Sequence, residues 1–270
     1  RHAVQDQHLN LRQVLGGRSD YDDRRMAALS LIEGDATLLM ERYMSSGGGQ
    51  ESSGLESLLG GLGVEALDGR GLAEMFAGPE LRNAPPVVRE QLIVPYLEGR
   101  RLANEIHRRG GFKLLNEYLE RLPRSMEQVL HPEKYLDRVE EPIDVSLSEV
   151  SGQELEFEGT VGESFLKVLF ESVLSQGEGN RAAVGWGGDR YGLWRGEDGR
   201  YHLLWRTVWD TDLDSSEFFE AISRFSSVRF GRGPTPSTDS GRLELEGKDG
   251  SRSVVSRAGR EVVLKRTGFH

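Results

Sequence analysis

His2 and Glu33 are the two side chains whose types and spacing most directly suggest chemistry. Each falls in a stretch with helical periodicity. His2, Gln5, Asp6 and Leu9 share one face, and Glu33 lies beside the apolar stripe Leu29, Ile32, Ala36, Leu39 and Tyr43. An imidazole and a carboxylate offered from two helices, about thirty residues apart, are both zinc-ligand types. A carboxylate next to an apolar stripe is expensive to bury unless it is paired or bound to a metal. Asp6 and Asp35 are candidates to accept the second N–H of a metal-bound histidine. The plainer readings are a surface histidine near the chain start and a solvent-facing helix glutamate. His8, on the opposite side of the first helix, reads as structural. His131 and Tyr135, in the run His-Pro-Glu-Lys-Tyr, offer donors of the kind that stabilise an oxyanion, or else structural hydrogen bonds in a proline-terminated helix end.

The elements that must position these groups follow from local signals. Residues 1–14 form a helix stopped at Gly16-Gly17, and a second helix runs from about 22 to 44. Residues 45–63, rich in Gly and Ser, read as a flexible insertion, closed further on by Pro85-Pro86. Two helices, 87–109 and 112–122, are broken at Gly110-Gly111. A short helix 126–130 follows, with Ser125 as N-cap. The character changes over 137–158, which places a boundary between a helical region, 1–158, and an α+β subdomain, 159–270. In the latter, a helix over 162–175 precedes strand candidates at 182–195, 201–209, 242–247, 252–256 and 260–266. A helix at 215–227, capped by Asp214 or Ser215, interrupts them, and Asp198-Gly199 and Asp249-Gly250 signal hairpins. The run Gly-Trp-Gly-Gly-Asp-Arg-Tyr at 185–191 lacks the Lys-Ser/Thr of a phosphate loop. It reads as a glycine-kinked strand with Asp189 and Arg190 in local pairs, and Trp194, Trp205 and Trp209 as packing. The fold class is α+β.

Composition narrows the partners. A net charge of −10 over 270 residues argues against nucleic acid. Zero cysteines exclude thiol nucleophiles and cysteine zinc knuckles, and leave the compartment open. No apolar run approaches the roughly 18 residues that cross a bilayer.

Four patches in order, RHAVQDQHLNL, SLIEGDATLL, PRSMEQVLHPEKYL and AVGWGGDRYGLW, resemble a group of bacterial and archaeal proteins similar to gluzincin zinc metallopeptidases. Full-length members carry H-E-L-x-H-A-x-Q-D-Q-H followed by E-G-D-A. The resemblance implies a metallopeptidase-like helical front half and a Zn2+ cofactor with His2 and Glu33 as ligands. It also implies a peptide or protein substrate whose carbonyl is attacked by zinc-activated water, and His131 or Tyr135 near that carbonyl. The first histidine and the general-base glutamate of the motif are then expected before Arg1, and the chain alone is expected to be inactive and to hold zinc weakly. The C-terminal subdomain is expected to supply no ligand. The reading from another class is a non-catalytic binding or scaffold protein that keeps a peptidase-like fold.

Overall fold

The computed structural model describes residues 22–45, 84–148, 152–231 and 241–270. The chain divides into two compact units. Of the described residues, those within Arg24–Glu140 make a helical unit, and those within Glu141–His270, with Asp22 and Asp23, make a sheet unit. The division falls at Glu140/Glu141.

In the helical unit, α1 spans Asp23–Ser45 and α2 spans Pro86–Leu119. Proline at the first position of α2 costs nothing, because that N–H has no intrahelical partner. The expected break at Gly110-Gly111 appears as a kink, with Gly111 at φ 67°, a left-handed conformation that glycine adopts without steric cost. The edge-to-face pair His107 and Phe112 packs across it, ring centroids 4.6 Å apart. Ala27, Leu31 and Leu38 of α1 bury against a core that includes Leu102, Ala103 and Ile106 of α2. Small residues bring the two backbones together. A Cβ on Gly34 would overlap the Gly99 carbonyl, and one on Gly99 would overlap the Ser30 carbonyl. Two short helices close the unit, α3 over Met126–Leu130 and α4 over Glu133–Leu136. Ser125 caps α3 as expected, its hydroxyl accepting from the Gln128 amide at 3.3 Å.

The sheet unit holds one antiparallel sheet of six strands in the order β1-β2-β3-β6-β5-β4. The strands are β1 Glu154–Gly159, β2 Trp186–Arg195, β3 Tyr201–Trp209, β4 Arg242–Glu246, β5 Arg252–Ala258 and β6 Glu261–Phe269. Three helices accompany them: α5 Gly162–Glu171, α6 Gln176–Ala183 and α7 Asp212–Phe230. Trp205, Leu264, Val255 and Leu243 sit opposite one another across β3, β6, β5 and β4, and all four are buried. They meet Phe218, Ile222 and Phe225 of α7 in one core. The architecture is α+β, as read from the sequence.

Two expectations are corrected here. The strand proposed over 182–195 begins only at Trp186, because residues 176–183 are helical. Ser175 and Glu178 form a reciprocal capping box at the start of α6, and this local signal outweighs the extended preference of the following residues. Helix α7 starts at Asp212, not near 215. Thr211 is its N-cap, accepting from the Asp214 amide, while the Ser215 hydroxyl donates to the Gly259 carbonyl at 2.8 Å.

Candidate functional site

Glu33 lies on α1 one residue before the glycine at the helix crossing, half-buried. Tyr96 lies on α2 three residues before Gly99, which places it on the same helical face and therefore at the edge of the same crossing. Burial pushes the Tyr96 phenol above its ordinary value, and the charge and hydrogen bond of Glu33 push it further the same way. The Tyr96 phenol thus keeps its proton at neutral pH.

Asp35 is fully buried, two residues on from Glu33. Residues two apart on a helix leave it on different sides, so the two carboxylates point away from each other. His2 and Asp6 lie outside the described residues. Among the described residues, no three His, Cys, Asp or Glu side chains cluster closely enough to hold a metal ion.

His131 and Tyr135 end the helical unit. His131 is the C-cap of α3, its amide donating to the Glu127 carbonyl at 2.8 Å, with Nδ1 3.9 Å from a Glu133 carboxylate oxygen. Tyr135, on α4, is 5% exposed. Its hydroxyl donates to the Arg121 carbonyl at 2.7 Å, near the C-terminal end of α2, with the Tyr118 carbonyl 3.3 Å away. Its ring meets the Tyr118 ring edge-on at 5.1 Å. Burial raises the Tyr135 pKa, which keeps that proton in place. Lys134 bridges the buried Glu127 at 2.7 Å and Glu140 at 2.9 Å. The Gln128 side chain joins the Arg124 amide to the Glu140 carbonyl. In the His-Pro-Glu-Lys-Tyr run, Lys134 and Tyr135 thus use their side chains in structural bonds, and Lys134 was not singled out by sequence. Tyr135→Phe is expected to lower stability by about 1 kcal/mol through loss of one buried hydrogen bond. Urea unfolding followed by circular dichroism at helical wavelengths measures this, and an unchanged midpoint would show that the bond contributes nothing.

A second polar centre lies in the sheet unit. Asp189 on β2 is 3% exposed and accepts four hydrogen bonds, each at 2.9 Å. Oδ1 takes the Gly162 amide and the Trp186 indole; Oδ2 takes the Val161 amide and the Trp205 indole. Val161 and Gly162 are the N-cap and first residue of α5, whose helix dipole favours a negative charge there. Burial raises the Asp189 pKa, and the four donors oppose it. With both oxygens doubly occupied by donors, a carboxyl proton would displace one of these bonds. The expectation of local pairs thus gives way to a junction joining α5, β2 and β3. Trp205 is buried as expected, and its indole N–H also carries a specific bond. The sequence signal for this junction was the Trp-Gly-Gly-Asp spacing, which places indole and carboxylate three residues apart across a bulged strand start.

No helix among the described residues is long and apolar enough to cross a membrane. No curated protein and no solved structure matches the chain. Residues 151–267, which run from the approach to β1 into β6, match the model of a family described as a domain of unknown function (DUF8575).

Proposed function

We propose that the helical unit carries the carboxylate side of a gluzincin-like zinc centre, and that the intact protein hydrolyses peptide bonds in peptide or protein substrates. The observation that supports the reading is the setting of Glu33. It is a part-buried carboxylate on a helix whose next residue is the glycine of a close helix crossing. A helix carboxylate held at such a crossing is of a zinc-ligand type. His2 would be the histidine ligand. The bound ion would lower the pKa of a water poised to attack the carbonyl. The chain's own part is to hold the Glu33 oxygen in place.

The reading requires His-Glu-x immediately before Arg1 in the gene that encodes this chain. Another tripeptide there overturns it. With that segment present, the purified protein should retain about one zinc per chain after dialysis, and Glu33→Ala should lose it together with peptide hydrolysis. Retention of stoichiometric zinc by Glu33→Ala would show that the ligand is elsewhere. A parent protein that binds no zinc would leave the non-catalytic scaffold reading, which the structural use of the Tyr135 hydroxyl also suits.

A further inference from the structure

Gly187 and Gly188, both buried, lie side by side near the start of β2. Trp205 and Trp209 of β3 meet Phe218 of α7, so Arg206 and Val208, which alternate with them, belong to the opposite face of the sheet. Gly188 pairs with Val208 and shares that face. Residues 141–148, in neither helix nor strand, run against it immediately after the division at Glu140/Glu141. A Cβ on Gly188 would overlap the Ile143 carbonyl oxygen, and its three nearest atoms would all belong to Ile143. A Cβ on Gly187 would meet Ile143 Cδ1 at 3.1 Å. The Ile143 amide donates to the Gly187 carbonyl at 2.7 Å, and Arg206 Nη1 donates to the Ser146 carbonyl at 3.3 Å. Between these two anchors Val145 is 7% exposed, while Asp144 and Ser146 on either side of it are exposed.

We infer that residues 141–148 form a strap that opens and closes on the sheet unit independently of its core, with Gly187 and Gly188 as its seat. One main-chain bond, one guanidinium bond and one buried valine hold the strap, whereas β2 and β3 are joined by a ladder along their whole length. Segments with few buried apolar contacts and few main-chain bonds open at lower free energy than core strands. Glycine at both seat positions lets the strap's backbone lie flat on the sheet, and a side chain at position 188 would lift it. Opened and extended, the stretch reaches roughly 25 Å. The strap therefore sets how much slack is left in the chain that enters the sheet unit from the helical one.

The test follows strap opening in the full chain by two rates. One is cleavage of the Ile143–Asp144 bond by an endoproteinase specific for the amino side of aspartate; the other is hydrogen exchange of the Ile143 amide. In the parent both should be slower than in a synthetic peptide of the strap sequence. Gly188→Ala overpacks the seat against Ile143 and is expected to raise both rates about 10–100-fold, because they track the open fraction. Val145→Ser, which leaves the sheet untouched, should act in the same direction, and it decides alone if Gly188→Ala does not fold. The melting temperature of the sheet unit, read from indole fluorescence, should stay within about 5 °C of the parent in both. A parent cleaved as fast as the peptide would show that the strap is not seated. A folded variant with the parent's rates would show that these contacts do not hold it. A larger fall in melting temperature would make the strap an inseparable part of the sheet core. Any of these three results overturns the inference.

Discussion

Replacing Asp189 by alanine is expected to lower the stability of the sheet unit by on the order of 4 kcal/mol. The substitution leaves two indole N–H groups and two main-chain amides buried around a vacated acceptor, and each such donor costs about 1–3 kcal/mol when unsatisfied. The costs do not add fully, because the α5 terminus has freedom to draw back and admit water once the carboxylate is gone. Asparagine tests the charge separately. Its NH2 group would face two N–H donors, so Asp189→Asn should lose about 2–3 kcal/mol although its shape is nearly that of the parent. All four tryptophans lie between residues 186 and 209, so indole fluorescence reports the sheet unit specifically. Urea unfolding followed at that signal measures both variants, with Asp198→Asn, in an exposed hairpin turn, as the control. A loss below about 1 kcal/mol for alanine would mean that water replaces the carboxylate at little cost.

The second large effect is expected at the helix crossing. Glycine to alanine inside a helix ordinarily stabilises by about 1 kcal/mol, through the conformational entropy of the unfolded chain. At Gly99 the sign should reverse. A Cβ there would overlap the Ser30 carbonyl, a backbone atom that no rotamer change removes from its path. Forcing the helices apart uncovers Leu31, Leu102 and Ala103, and overpacking of this kind costs about 1–3 kcal/mol or more beyond the propensity gain. The net expectation for Gly99→Ala is a loss of about 2 kcal/mol, read from thermal or urea unfolding at helical wavelengths. A stabilised variant would show that the helices do not approach this closely.

What was legible in the sequence was the part governed by local rules. Strand β3 was read with its observed limits because its alternation is flanked by clear turn signals, and Ser125 was identified as a cap because a serine before a short apolar run has few other uses. Asp198-Gly199 and Asp249-Gly250 signalled hairpins, and both glycines adopt positive φ, which side chains with a Cβ resist. The apolar stripe of α1, with Glu33 beside it, was legible too, whereas Gly34 and Gly99 acquire their meaning at the helix crossing.

Only the tertiary structure decided that these two glycines face each other. Their separation of sixty-five positions carries no periodic signal, and the contact depends on how two helices rotate about their axes as they bury Leu31 and Leu102. Tyr96 was illegible for the same reason, because an exposed tyrosine on a helix has no local pattern that distinguishes it. Asp189 falls in a glycine-tryptophan run, but its four donors come from three separate stretches, around residues 161, 186 and 205. A sequence ranks a buried aspartate as costly. Strand pairing and the docking of α5 supply the donors that make its burial tolerable, because hydrogen bonding to a carboxylate requires groups that the chain brings together only when it folds.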